Sequence, residues 1–187
     1  MLDLNLTGTQ AIETERLIFR RFISEDLDSI YCNWTSDGEV TRYLSWNVHE
    51  SVDVTRQVLE SWLEEYQNTS NYHWAIVLKD IDQPIGSISL LNFSAQHCKA
   101  EAGYCIGSRW WGQGIMTEAL KAVIAYAFRV LGLNRLETCH DVLNAASGKV
   151  MQKAGMRLEG RFRQWKYKKG RFVDYDHYAI LREEYTQ

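Results

Sequence analysis

KAEAGYCIGSRWWGQGIMTEALKAVIAYAFRVLG, residues 99–132, is the stretch on which the fold turns. Its first eight residues alternate, with Ala100, Ala102, Tyr104 and Ile106 on one side, and read as a strand. A glycine-punctuated loop follows: Arg109-Trp110-Trp111-Gly112-Gln113-Gly114. From about Ile115 to Leu131, Leu120, Val123, Ile124, Ala127 and Phe128 recur at helical spacing, and Gly132 ends the helix. Glycines at 112 and 114 let the backbone turn tightly and approach a ligand closely. The first amides of the next helix have no internal partners, and the helix dipole adds positive charge there, which suits a diphosphate. Two glycines also suit a plain strand-to-helix connection. The G-x-G-x-x-G pattern fails because Thr117 holds its last place, and no Walker sequence is present. Gly103 interrupts the strand pattern, which predicts a bulge or a close backbone approach. A splayed strand beside such a loop could accept an extended, amide-bearing ligand as an extra strand.

Outward from this stretch, the hydrophobic period gives the remaining order. Residues 14–22 read as a strand with Leu17 and Phe19 on one face. Ser24 is expected to cap a helix to about Trp34, and Ser51 a second helix with Val54, Val58, Trp62 and Tyr66 as its buried stripe. A hairpin spans 72–78 and 85–91, with KDIDQP as its turn. After the long helix come a strand at 135–140, a helix from Asn144 to Ala154 ending on Gly155, and strands near 156–167 and 171–181. The order β-α-α-β-β-β-α-β-α-β-β is that of a mixed α/β domain of the α+β kind.

Composition excludes several classes. A chain of 187 residues fits one domain covering its whole length. Hydrophobic residues at 45% and charged residues at 24% are those of an ordinary soluble protein. The net charge of −3 argues against coating nucleic acid by bulk charge. No apolar run is long enough to cross a bilayer, and MLDLNLTGTQ lacks the pattern of a signal peptide. Cysteines at 32, 98, 105 and 139 and five scattered histidines fit neither a disulfide framework nor a metal site. Four free thiols point to a reducing, cytoplasmic setting.

Gly103-Tyr104, RWWGQG-IMTEAL, Asn144-x-x-Ser147 and KAGM at 153–156 together resemble the GNAT acetyltransferases, and within them the RimJ/RimL-type branch. TERLIFRRF near the start and LEGRFRQW…GRFVDYDHYAIL near the end extend the likeness over nearly the whole chain. The resemblance implies a central twisted, mostly antiparallel sheet, splayed in the middle and flanked by helices, with acetyl-CoA as cosubstrate and no metal. It implies that the backbone of Tyr104, Cys105 and Ile106 pairs with the pantetheine arm. The Arg109, Gly112, Gly114 element and the amides of Gly112 to Thr117, through Ile115 and Met116 and helped by Gln113, would hold the diphosphate. Asn144 would bond a pantetheine amide, and Ser147 would lie near the sulfur. Met156 replaces an aromatic that many relatives carry.

Acetyl transfer to an amine needs a neutral amine, a stabilised oxyanion and a proton for the departing thiol. Ser147 is the candidate proton donor, although a place in the first turn of a capped helix also explains it. A backbone amide near Cys105 or Ile106 could donate to the oxyanion. Two carboxylates compete as base: Glu101, on the face opposite Ala100 and Ala102, and Glu159, which matches a position implicated in RimL-like relatives. Either could instead be an ion-paired strand residue, and an α-amine could dispense with a base. Cys105 reads as a small buried residue rather than a nucleophile. Trp34, Tyr43, Trp46 and Trp62 lie where this family shapes its acceptor pocket, and most of them suit the core. The resemblance implies an acetyl-CoA-dependent N-acetyltransferase, with a protein α-amine, such as a ribosomal protein amino terminus, or a small-molecule amine as the expected acceptor. A catalytically silent acetyl-CoA sensor or interaction module is the alternative. RFRQWKYKKGR at 161–171 raises RNA binding as a third reading, and a homodimer is the commonest form for soluble homo-oligomers.

Overall fold

Period-two apolar runs become strands and period-3.6 runs become helices in the computed structural model, which describes residues 4–185. Three residues of the amino-terminal stretch read for a signal sequence lie outside that range. Eight strands follow the order β1-β2-β3-β4-β5-β6-β8-β7: β1 Ile12–Glu13, β2 Leu17–Arg20, β3 Tyr72–Leu78, β4 Gln83–Ser94, β5 Lys99–Ile106, β6 Arg135–Asp141, β7 Arg157–Lys168 and β8 Arg171–Leu181. The sheet is mostly antiparallel, with β5 and β6 parallel, and helices accompany it, as the α+β reading requires. The chain forms two compact units. Among the described residues, one holds 6–91 and 103–115, and the other holds 4–5, 92–102 and 116–185, so the border runs through β4 and β5.

In the first unit, β2 and β3 bury Leu17, Phe19, Tyr72, Trp74 and Ile76 completely. The helix expected from Ser24 to Trp34 is broken into three pieces: a 3-10 turn Ser24–Asp26, α1 Leu27–Ile30 and a π-turn Tyr31–Thr35. Ser24 is not the cap. Asp26 reaches back to accept the Ile23 amide at 2.9 Å, and Arg20 holds the same carboxylate through two bonds of 2.7 and 2.8 Å. The turn at Asp37 leads into the short α2, Gly38–Thr41, with Asp37 accepting the Glu39 amide. Helix α3, Val52–Glu65, begins after Ser51 as expected, but Ser51 makes no side-chain cap bond. Its buried positions are Thr55 and Leu59, whereas Val54 is exposed, so the stripe is rotated from the one expected.

In the second unit, α4 (Ile115–Arg129) buries Ala119, Leu120, Val123, Ile124, Ala127 and Phe128. Gly132 at φ +76° follows it. Asn144 caps α5, Ala145–Lys153, its side chain accepting the Ser147 amide at 3.3 Å. Gly155, at φ +94°, follows α5. Lys168 and Asp141, both buried, form an ion pair at 2.8 Å that ties the β7–β8 hairpin to the end of β6.

Candidate functional site

Within the first unit, the end of β5 enters the loop through a tight passage. At Gly107 a Cβ would lie 2.1 Å from the Asn33 carbonyl and 2.6 Å from the Trp110 ring, so only glycine passes. Ser108 donates to Asp37, whose carboxyl is held below its ordinary range chiefly by that bond. Trp110 is buried in the 3-10 turn Ser108–Trp110. The Trp111 indole is half-exposed and turns back to donate to the Ile106 carbonyl at 2.9 Å.

The loop then runs through two left-handed glycines, Gly112 at φ +75° and Gly114 at φ +77°. A Cβ on Gly112 would meet nothing within 4 Å, so its glycine answers the backbone conformation alone. Gln113 is anchored at both ends. Its side-chain amide donates to the Arg109 carbonyl at 3.0 Å, and its own carbonyl accepts from Arg16 Nη1 at 3.0 Å. The Gln113 side chain therefore braces the loop. The amides of Gly112 and Gly114 donate to no other described residue. Ile115 opens α4, whose first turn of amides is left without internal acceptors by helical geometry. The exposed amides of Gly112 and Gly114, just ahead of a helix start, are groups that could hold a diphosphate. Arg109 is exposed, its guanidinium 5.5 Å from the Trp110 ring centroid.

Tyr104 and Cys105 are half-buried and Ile106 buried in the last turnings of β5. The Cys105 thiol lies 3.4 Å from the Ser87 hydroxyl, and burial pushes its pKa up. It stays a thiol, unsuited to nucleophilic attack. Gly103, read as a bulge or a place of close backbone approach, would meet side chains and no backbone, Leu91 at 3.0 Å and Ser89 at 3.5 Å. The close backbone approach is at Gly86, where a Cβ would fall 2.4 Å from the Cys105 carbonyl.

Within the second unit, the parallel ladder runs Lys99↔Arg135, Ala100↔Leu136, Glu101↔Glu137. At Ala102 a side chain takes over: the Thr138 hydroxyl donates to the Ala102 carbonyl at 2.7 Å. Glu101 is half-buried on the face opposite Ala100 and Ala102. Its carboxylate accepts from the Asn92 amide at 2.8 Å and the Cys139 thiol at 3.4 Å. Burial, with Glu101 alongside, pushes the Cys139 pKa up to about 12, which keeps the thiol a donor. Glu159 sits differently. Arg135 grips it through both nitrogens, and that bond holds its carboxyl below the ordinary range. Arg135 also holds Glu137, which takes Lys99 as a second partner. Of the two candidate bases, Glu101 is the one with no cation at ion-pair distance among the described residues. Met116 is buried and Thr117 half-buried in the first turn of α4, and Ser147 is half-buried in the first turn of α5.

Two groups escaped the sequence reading. Arg16 reaches Gln113 across 97 residues, with no spacing signal to announce it. His177, in register with Cys139 on β6 and Gly160 on β7, stacks on Phe162 at 4.0 Å with Trp165 edge-on at 5.3 Å. The alternation of β7 alone would not separate these aromatics from core, because the register shifts between Phe162 and Lys166. Among the described residues, no three or more His, Cys, Asp or Glu are placed to hold a metal ion, and no helix is long and apolar enough to cross a membrane.

An eight-stranded, mostly antiparallel sheet whose fifth strand leads through a glycine loop into a long helix is the architecture of solved acetyltransferases. The family described as the acetyltransferase (GNAT) domain matches residues 16–157, and the chain belongs to the GNAT acetyltransferases. It is 32% identical over 171 residues to the uncharacterized N-acetyltransferase YoaA of Bacillus subtilis, covering 91% of this chain and 96% of that one. It is 31% identical over 84 residues to the [ribosomal protein uS5]-alanine N-acetyltransferase of Escherichia coli, 45% of this chain and 43% of that protein. Its fold matches RimL, a ribosomal L7/L12 alpha-N-protein acetyltransferase solved with coenzyme A, with a TM-score of 0.81 at 22% identity, over 92% of this chain and 98% of that one. The protein is an acyltransferase of the GNAT family, and GNAT acetyltransferases use acetyl-CoA.

Proposed function

We propose that this enzyme moves an acetyl group from acetyl-CoA directly to a primary α-amine in a ternary complex. The acceptor is a protein amino terminus, with a ribosomal protein as the leading candidate, or a small-molecule amine. The observation carrying the donor assignment is the pair of left-handed glycines, whose amides have no described partner, opening onto α4. In this reading the amides from Gly112 to Thr117, with Arg109 nearby, hold the diphosphate, while Gln113 braces the loop. Backbone groups of Tyr104 to Ile106 receive the pantetheine arm. Acetyl-CoA supplies the activated acyl group, and the chain supplies alignment and proton movement.

Glu101 takes the proton of the incoming ammonium, since its carboxylate accepts only neutral hydrogen bonds among the described residues. Ser147 hands a proton toward the departing sulfur. Glu159 serves as the arginine-held brace of its strand. An α-amine suits this modest machinery because roughly a tenth of it is already neutral at pH 7, against well under a thousandth of a lysine side chain. RimL and the uS5-alanine enzyme are named for protein amino-terminal acceptors, which supports the same choice.

The test is calorimetry with coenzyme A followed by a panel of amine acceptors assayed by free-thiol release. The expected outcome is donor binding and turnover on peptides with free amino termini, with little on lysine side chains. Binding without thiol release on any amine would leave a silent acetyl-CoA sensor instead, and absence of binding would remove the donor site.

A further inference from the structure

The loop that receives the diphosphate has a conformational ambiguity built into it, and one distant side chain resolves it. Every described peptide bond is trans, so the carbonyl of Gln113 and the amide of Gly114 lie in one plane and point in opposite directions. That plane can rotate through the ψ of Gln113 and the φ of Gly114. Gly114 stands at φ +77°, but a glycine populates either sign of φ almost equally, so local preference does not decide which way its amide faces. The anchor of the Gln113 side chain on the Arg109 carbonyl fixes the residue and leaves the following peptide plane free.

Arg16, just ahead of β2, removes that freedom. Its Nη1 donates to the Gln113 carbonyl at 3.0 Å, and its Nη2 lies 3.8 Å from the place a Cβ on Gly114 would take. A carbonyl drawn toward the guanidinium turns the Gly114 N–H the other way, away from Arg16. If the plane flipped, a carbonyl oxygen would occupy the place of the amide and repel a phosphate.

We propose that Arg16 is a positioning residue for the donor, holding the Gln113–Gly114 peptide in the one orientation that offers an amide to the diphosphate. This rests on the acetyl-CoA reading of the loop. The role is specific to the diphosphate, because the thioester and pantetheine parts of the donor make no use of that amide.

The experiment compares acetyl-CoA with S-acetylpantetheine, which carries the same thioester and no diphosphate, using the full chain. Arg16→Met is expected to raise the KM for acetyl-CoA by about 10-fold or more, the loss of one charge-assisted hydrogen bond. The KM for S-acetylpantetheine and the kcat at saturating donor should stay at the wild-type values. Arg16→Lys, which keeps one cationic donor and guards against a misfolded Met variant, should show a smaller increase confined to acetyl-CoA. An unchanged KM for acetyl-CoA, or an equal increase for both donors in either variant, would overturn the proposal. Failure of the wild-type protein to bind coenzyme A would instead overturn the donor site itself.

Discussion

Replacing Glu101 by Gln separates the proton-accepting role from everything else the side chain does. The shape is conserved: the amide oxygen can still accept from Asn92, and the Cys139 sulfur can turn to accept from the new NH2. What disappears is the ability to take a proton. The size of the loss follows from the acceptor. For an α-amine with a pKa near 8, about a tenth is neutral at pH 7, so a base can contribute at most about 10-fold there. Above about pH 9 the amine is neutral unaided, and the variant should approach the wild type. For a lysine acceptor near pKa 10.4, the neutral fraction at pH 7 is below one in a thousand, and the same substitution should cost about 10²- to 10³-fold. The assay is kcat/KM between pH 6 and 9.5 by thiol release, with a peptide acceptor that has a free amino terminus and no lysine. Glu159→Gln, measured in parallel, should leave this profile unchanged because its carboxylate is held by Arg135. A loss for Glu101→Gln that is the same at every pH, or no loss at pH 7, would refute the reasoning.

Ser147→Ala should lower kcat by about 10-fold with little change in the Kd for coenzyme A, since its amide still caps onto Asn144. Stopped-flow thiol release and calorimetry separate the two. Lys168→Met leaves the Asp141 carboxylate buried without its cation and should cost about 3–5 kcal/mol in urea unfolding, while adding Asp141→Asn should recover much of it. His73, packed against Phe22 and Trp62, has its pKa pushed down by burial to about 4. Its imidazole is ordinarily near 6.5, so as pH falls from about 6.5 to 4 the unfolded chain takes up a proton that the folded chain refuses. Stability should therefore fall across that window by about 3 kcal/mol, and His73→Phe should flatten the dependence in pH-resolved thermal melts.

The strands were legible where alternation was strong. Tyr72–Leu78 and Lys99–Ile106 occupy the residues that the pattern assigns them. Helix α3 shows where the pattern misleads. Counting apolar residues turns Val54 inward, yet Thr55 is the buried position, because its hydroxyl lies 3.0 Å from that of Thr35 and 2.8 Å from His49 Nδ1. A polar residue whose hydrogen bonds are satisfied can be buried at a tolerable cost, and periodicity of hydrophobicity cannot register that. The segment after Ser24 fails for a related reason. Its geometry is set by long-range partners, Arg20 on Asp26 and the Pro84 carbonyl on Asn33, and these draw it into 3-10 and π turns.

The site was legible in its glycines but not in their reasons. Sequence marks Gly103, Gly107, Gly112 and Gly114 alike, whereas the backbone treats them in three ways. Gly112 and Gly114 are required by a left-handed φ, Gly107 by a carbonyl and an indole that would overlap any Cβ, and Gly103 only by a leucine methyl that can move aside. The distinction bears on function. A glycine fixed by sterics anchors the chain where it stands, but a glycine fixed by its own φ leaves the neighbouring peptide able to turn. Something outside the loop must then choose its direction. Between Gly112 and Gly114 that choice falls to a carbonyl held from Arg16, a contact that no motif encodes because its two halves lie at opposite ends of the first unit's sequence.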